Sequence, residues 1–226
     1  SFLYHCKYQW YRKDMHFIEK NLNMIKERIE RTSNKFDRDP NDIKLIVITK
    51  KFDKESIKPL IDCGQALFGE NKVQEAKNKW LDVIKVNKNI KLHMVGGLQS
   101  NKIKDALSIF SCIHSVDRIK ILEYISKNLK EDSLLKEFFI QVNISNEASK
   151  GGVDLQGLES FLKQAKTFTD IKILGLMTMP PVTEEPSVYF ALLNKLAEKE
   201  NLKCLSMGMS NDLSLIHISE PTRPYW

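Results

Sequence analysis

Seven short apolar runs, each flanked by an amphipathic stretch of helical period, constrain this chain more than any other feature in it. The runs are IKLIVITK (43–50), ALFGE (66–70), KLHMVGG (91–97), CIHSV (112–116), EFFIQVNIS (137–145), IKILGLMTM (171–179) and LKCLSMG (202–208). They are continuous rather than alternating, as strands buried on both faces are, and parallel strands need helical crossovers between them. Segments such as KESIKPLIDCG, NKVQEAKNKWLDVIK and DRIKILEYISKNLKE supply those crossovers. A repeating βα order folds either as a doubly wound sheet or as a (βα)8 barrel. Steps of fairly even length, with polar or Gly-containing turns after the runs, favour the barrel. A further helix opens at Met15, where Ile18, Leu22, Ile25 and Ile29 share one face.

Composition narrows the function. The net charge is +6, but lysines are scattered over every helical stretch and interleaved with acids. Such faces are solvated rather than built for nucleic acid, so no nucleic-acid partner is expected. No apolar run approaches the roughly 20 residues of a membrane span, and the start lacks the apolar core of a secretory signal. Cys6, Cys63, Cys112 and Cys204 form no CxxC pair, which suits reduced thiols in a cytosol-like compartment. The five histidines make no HxxxH arrangement, and no metal site is expected. Residues 1–14 read as a disordered extension, 15–213 as the barrel domain, and 214–226 (SLIHISEPTRPYW) as a non-native tail with neither strand nor helix period.

Barrel sites lie at the C-terminal ends of the strands. Lys50 ends the first run. A lysine partly desolvated in a barrel mouth loses basicity and forms a Schiff base with an aldehyde, although Lys50 is also one lysine among many. Asn71 reads as a helix N-cap, with Gln74 in capping-box position, and has donors left for a ligand. Ser100 reads as another N-cap. The turn SMGMSND offers Ser206, Gly208 and Ser210 to an anion, as loops after late barrel strands do. Met177 and Met179 flank Thr178 and read as packing residues.

Taken together, LIVITK, FGENKVQEA, HMVGGLQSNK, HSVDR, QVNIS…ASKGG, GLMTMPP and LSMGMSND resemble, in order and spacing, the YggS-like pyridoxal 5′-phosphate (PLP) homeostasis proteins, from about Asn21 to Leu213. The resemblance implies a barrel of the alanine racemase N-terminal domain type (PLP fold type III) without a second domain. It implies a Lys50 aldimine with PLP, Asn71 beside the ring, and Met177 near the cofactor plane. It places Ser206 and Ser210, with the backbone near Gly208, on the phosphate side. It implies an intracellular PLP-binding role without established catalysis, in a cytoplasmic or mitochondrial monomer that serves apo PLP-dependent enzymes.

Two departures stand out. Gly97 replaces the family's Pro. The family also continues into a helix, an eighth strand and an R-x-G-[ST] loop, and Arg223, between prolines, does not replace that loop. The barrel is therefore expected to stop before its eighth strand, with two unpaired edges and an open core. Two alternatives follow: a racemase-like enzyme on a small amino acid, or a truncated fragment with impaired PLP binding. The first needs a second acid/base, often Tyr, whereas Tyr124 and Tyr189 fall in helical stretches.

Overall fold

In the computed structural model eight parallel strands close into a ring in chain order. They are β1 (Phe2–Cys6), β2 (Ile43–Ile48), β3 (Leu67–Glu70), β4 (Lys91–Met94), β5 (Cys112–Val116), β6 (Glu137–Gln141), β7 (Lys172–Met177) and β8 (Cys204–Met209). The helices are α1 (Met15–Lys35), α2 (Lys54–Asp62), α3 (Val73–Val86), α4 (Ile103–Ile109), α5 (Ile119–Asn128), α6 (Leu158–Ala165) and α7 (Pro186–Lys199). The structure describes residues 2–6, 15–131, 133–147, 150–181, 183–209, 212 and 214–215, with 2–6 described by backbone alone.

The seven expected strands are β2 to β8, and no strand follows β8 among the described residues. The ring closes nevertheless, which corrects two expectations. Phe2–Cys6, part of the stretch expected to be disordered, is a strand. It pairs in parallel with β2 from Phe2↔Ile43 to Cys6↔Val47, and with β8 from Phe2↔Leu205 to His5↔Met209. The edges of β2 and β8 are therefore not open. The physical reason is the one that makes edges unstable: each presents a row of unpaired N–H and C=O groups, and one extended segment between them satisfies both rows. Residues 7–14 and 216–226 lie outside the described residues.

Side chains alternate across the wall of the ring. Val47, Phe68, Leu92, Ile113, Phe138 and Leu205 face outward into one core shared with Leu22, Leu60, Trp80 and Leu193 of the helices. Ile46, Ile48, Cys112, Phe139 and Met177 form a separate cluster inside the lumen. Two glycines let this lumen close. A Cβ on Gly69 would lie 2.5 Å from Ile48 Cδ1, and one on Gly175 would lie 1.7 Å from the Cys204 carbonyl oxygen.

Local signals were mixed. Asp53 caps α2 by accepting from Ser56 N–H at 2.9 Å, and Gly64 at φ +78° follows the helix end. The two expected Asn71 and Ser100 caps are corrected. Lys72 occupies the N-cap of α3 with no side-chain cap bond, and Ser100 lies inside a 3-10 turn capped at Gln99. Asn71 is instead held by tertiary contacts at the barrel mouth.

Candidate cofactor site at the barrel mouth

The site starts from a register. β2 and β3 pair Ile48 with Gly69, both on the lumen side. Two residues further on, at the period of a strand, come Lys50 and Asn71. Lys50 is half-buried, and its neighbours fix its backbone. Thr49 N–H donates to the Gly69 carbonyl at 3.0 Å, Phe52 N–H donates to the Thr49 carbonyl at 3.1 Å, and Lys51 sits at φ +71°. A left-handed lysine turns the chain sharply after Lys50.

Behind this turn lies a buried polar hub. Glu70 Oε1 accepts from Thr49 Oγ1 at 2.7 Å, Lys79 Nζ at 2.8 Å and Trp80 Nε1 at 3.0 Å. Lys79 Nζ also donates to the Thr49 carbonyl at 2.7 Å. Glu70 is fully buried and the Lys79 side chain is 10% exposed. An ion pair in such surroundings persists only when further hydrogen bonds offset its desolvation; here those to Glu70 all converge on Oε1, while the buried Oε2 has no partner among the described residues. The hub ties the ends of β2 and β3 to α3, so it sets where Lys50 and Asn71 stand.

Asn71 is wedged next to the end of β4. A Cβ on Gly96 would lie 2.3 Å from the Asn71 carbonyl oxygen, so only glycine fits there. Val95 N–H donates to the Glu70 carbonyl at 2.9 Å, and Ser115 Oγ donates to the Gly96 carbonyl. Asn71 Oδ1 and Asn143 Oδ1 are buried polar atoms with no hydrogen-bond partner among the described residues.

On the far side, β7 and β8 pair Met177 with Ser206. Met177 is fully buried in the lumen cluster, and Thr178 N–H donates to the Ser206 carbonyl at 3.1 Å. Ser206 is fully buried, with its Oγ 2.7 Å from His114 Nδ1. Gly208 is buried at φ +82°, the left-handed conformation that lets a backbone turn toward a ligand. Met209 N–H donates to Asp212 Oδ2 at 2.8 Å, and burial pushes the Asp212 carboxyl above its ordinary range. Ser210 lies outside the described residues.

Of the residues singled out from sequence, Lys50 and Asn71 thus follow the ends of the paired strands β2 and β3, and Met177 pairs with Ser206 on β7 and β8, with Gly208 two residues beyond Ser206. Sequence reasoning missed the hub. Its one signal was an acid closing an apolar run, followed by Lys and Trp nine and ten residues on. It also missed that His93 Nδ1 lies 2.8 Å from His114 Nε2. Neighbouring strands bring together histidines that no sequence spacing relates.

Comparison with known proteins identifies the barrel. No protein-family model matches the chain. The pyridoxal phosphate homeostasis protein of Aquifex aeolicus is 32% identical over 203 residues, which span 86% of this chain and 88% of that protein. The chain belongs to the pyridoxal phosphate homeostasis protein family. The family member of Pseudomonas aeruginosa is 31% identical over 204 residues, 88% of each chain. Among solved structures, PipY of Synechococcus elongatus with PLP bound superposes with a TM-score of 0.73 at 29% identity, over 88% of this chain and 95% of PipY. A Bifidobacterium adolescentis protein of unknown role superposes at 0.80 and 26% identity, over 92% of each. Alanine racemase of Corynebacterium glutamicum superposes at 0.57 with 14% identity, over 83% of this chain and 53% of the racemase, and shares the fold alone. The expected family and the alanine racemase type of barrel are both borne out. Among the described residues, no helix of this family member is long and apolar enough to cross a membrane.

Proposed function

We propose that this protein holds PLP at the barrel mouth, covalently through Lys50, and keeps the cofactor for delivery rather than turning over a substrate. One observation carries the reading. The mouth sets a half-buried lysine and an asparagine just past the ends of two paired strands, each next in sequence to a residue of the buried Glu70 hub, in a family whose PipY member binds PLP. The residues fit the group. The buried Asn71 Oδ1, which has no hydrogen-bond partner among the described residues, is open to a polar contact with a ligand, and such a contact would relieve the cost of burying it. When bound, PLP supplies an aldehyde that condenses with an amine with loss of water, and Lys50 is the amine of this mouth. On this reading Asn71 would face the ring, Met177 would lie near the cofactor plane, and Ser206 and Gly208 would hold the phosphate side.

Tyr124 lies on α5, and Tyr189 lies on α7 with its hydroxyl donating to Glu184. Neither stands at a strand end, where a second acid/base for racemisation is needed. We take the protein to be a monomer of the cytoplasm or mitochondrion that passes PLP to apo PLP-dependent enzymes. Borohydride reduction of the loaded protein, followed by peptide mapping, is expected to find the adduct on Lys50. A Lys50→Ala variant that keeps the visible absorption of bound PLP would sink this assignment. Rapid exchange of the alanine Cα proton in deuterated water would restore the racemase reading.

A further inference from the structure

We infer that His114 is a positioning residue: it decides which way the Ser206 hydroxyl donates, and so whether Ser206 offers a proton to an anion at the mouth. The inference rests on the reading of the mouth as a PLP site with Ser206 on its phosphate side. Its basis is a row of three buried groups. His93 Nδ1 stands 2.8 Å from His114 Nε2, and His114 Nδ1 stands 2.7 Å from Ser206 Oγ. The His114 ring is fully buried and stacks on Phe139, with centroids 4.7 Å apart and planes at 17°. His93 is buried beside it, and Cys112 flanks both. With the rings so packed, the sense of the two contacts is set by which ring nitrogens carry the protons.

A neutral imidazole carries one N–H donor and one bare nitrogen acceptor. Each contact in the row needs one hydrogen, so two neutral imidazoles can be threaded in only two senses. In the first, His93 Nδ1–H donates to His114 Nε2, and His114 Nδ1–H donates to Ser206 Oγ. The Ser206 O–H then points to another acceptor. In the second, Ser206 O–H donates to His114 Nδ1, and His114 Nε2–H donates to His93 Nδ1. Ser206 then presents only lone pairs to everything else.

Phosphate oxygens that are ionised only accept. An anion beside Ser206 is bound by the first sense and repelled by the second. Anion binding therefore moves the His114 proton to Nδ1, and a chain locked in the second sense binds poorly. The row thus makes recognition of the phosphate group, rather than of the ring, depend on a histidine that the phosphate does not touch.

The test compares PLP, pyridoxal (which lacks the phosphate) and inorganic phosphate. A hydrogen bond to a charged group is worth about ten- to a hundredfold in affinity, so Ser206→Ala should weaken PLP by about that factor, and His114→Phe, which leaves the hydroxyl without the N–H that turns it toward the anion, should weaken PLP by a smaller factor. Pyridoxal should stay within about twofold, because both variants spare the ring contacts. The double variant should bind PLP no more weakly than the weaker single variant, since the two residues act in series. Nitrogen-15 spectra of wild-type protein, which need no variant to fold, should show His114 protonated at Nδ1 when PLP or inorganic phosphate is present. Equal weakening of PLP and pyridoxal, additive losses, or a loaded protein protonated at Nε2 would overturn the inference. So would a stoichiometric metal ion between the imidazoles: one ligand atom each from His93, Cys112 and His114 lie within 4.8 Å of one another, and such an ion would replace the histidine–histidine bond. If wild-type protein takes up no PLP yet its His114 proton answers to inorganic phosphate, the PLP reading fails and the inference stands.

Discussion

Glu70 is a carboxylate with no exposed surface that accepts from a threonine on one strand end and from a lysine and a tryptophan on the following helix. Breaking a buried pair by removing one partner leaves the other charge uncompensated and costs about 3–5 kcal/mol. Glu70→Ala is therefore expected to lose about that much stability in urea unfolding, and to take up PLP poorly because Lys50 and Asn71 lose their anchor. Lys79→Met should cost a similar amount, and Glu70→Leu with Lys79→Met should recover part of the loss, because the double change leaves no buried charge. Cys112 offers a cleaner readout. Burial first, and then the neighbouring Glu137 and Cys204, push its thiol well above the usual range. A thiol reagent at pH 8 should leave Cys112 unmodified until the protein is unfolded.

Among the elements, β1 and the β7–β8 pair matter most. β1 has ladder partners on both sides, so it behaves as a central strand despite its terminal position. Leu3→Pro removes a backbone donor from that ladder and is expected to cost about 3 kcal/mol or more, read as a lower melting temperature and faster aggregation. At the other seam, Gly175→Ala sets a methyl where the Cys204 carbonyl already stands. The strands must separate, and the Met177↔Ser206 pairing two residues on shifts with them. That variant should lose PLP affinity together with stability. The same elements show what was legible in sequence. β2 to β8 were readable because each is a continuous apolar run. β1 was not, because FLYHC sits in a mixed aromatic and basic stretch and its partners lie as far off as Met209. The Asn71 cap was misread because local capping preference gave way to tertiary packing against Gly96.

At the scale of the whole molecule, closure of the ring couples the mouth to global stability. A ligand that binds only the folded state at a hundred times its Kd adds about 2.7 kcal/mol. PLP at that excess should raise the melting temperature of wild-type protein, and Lys50→Ala should abolish most of the rise. The sequence by itself determined the order of β2 to β8 and of the helices between them, and the chain's family. It also placed Lys50, Asn71, Met177, Ser206 and Gly208 at or near the ends of strands. Those properties live in local periodicity and in short motifs. Only the tertiary structure decided that Phe2–Cys6 closes the ring, that Glu70 anchors the mouth, and that His93, His114 and Ser206 stand in one row. Each depends on contacts between residues far apart in the chain, 92 positions in the case of His114 and Ser206, and such contacts exist only once the barrel has closed.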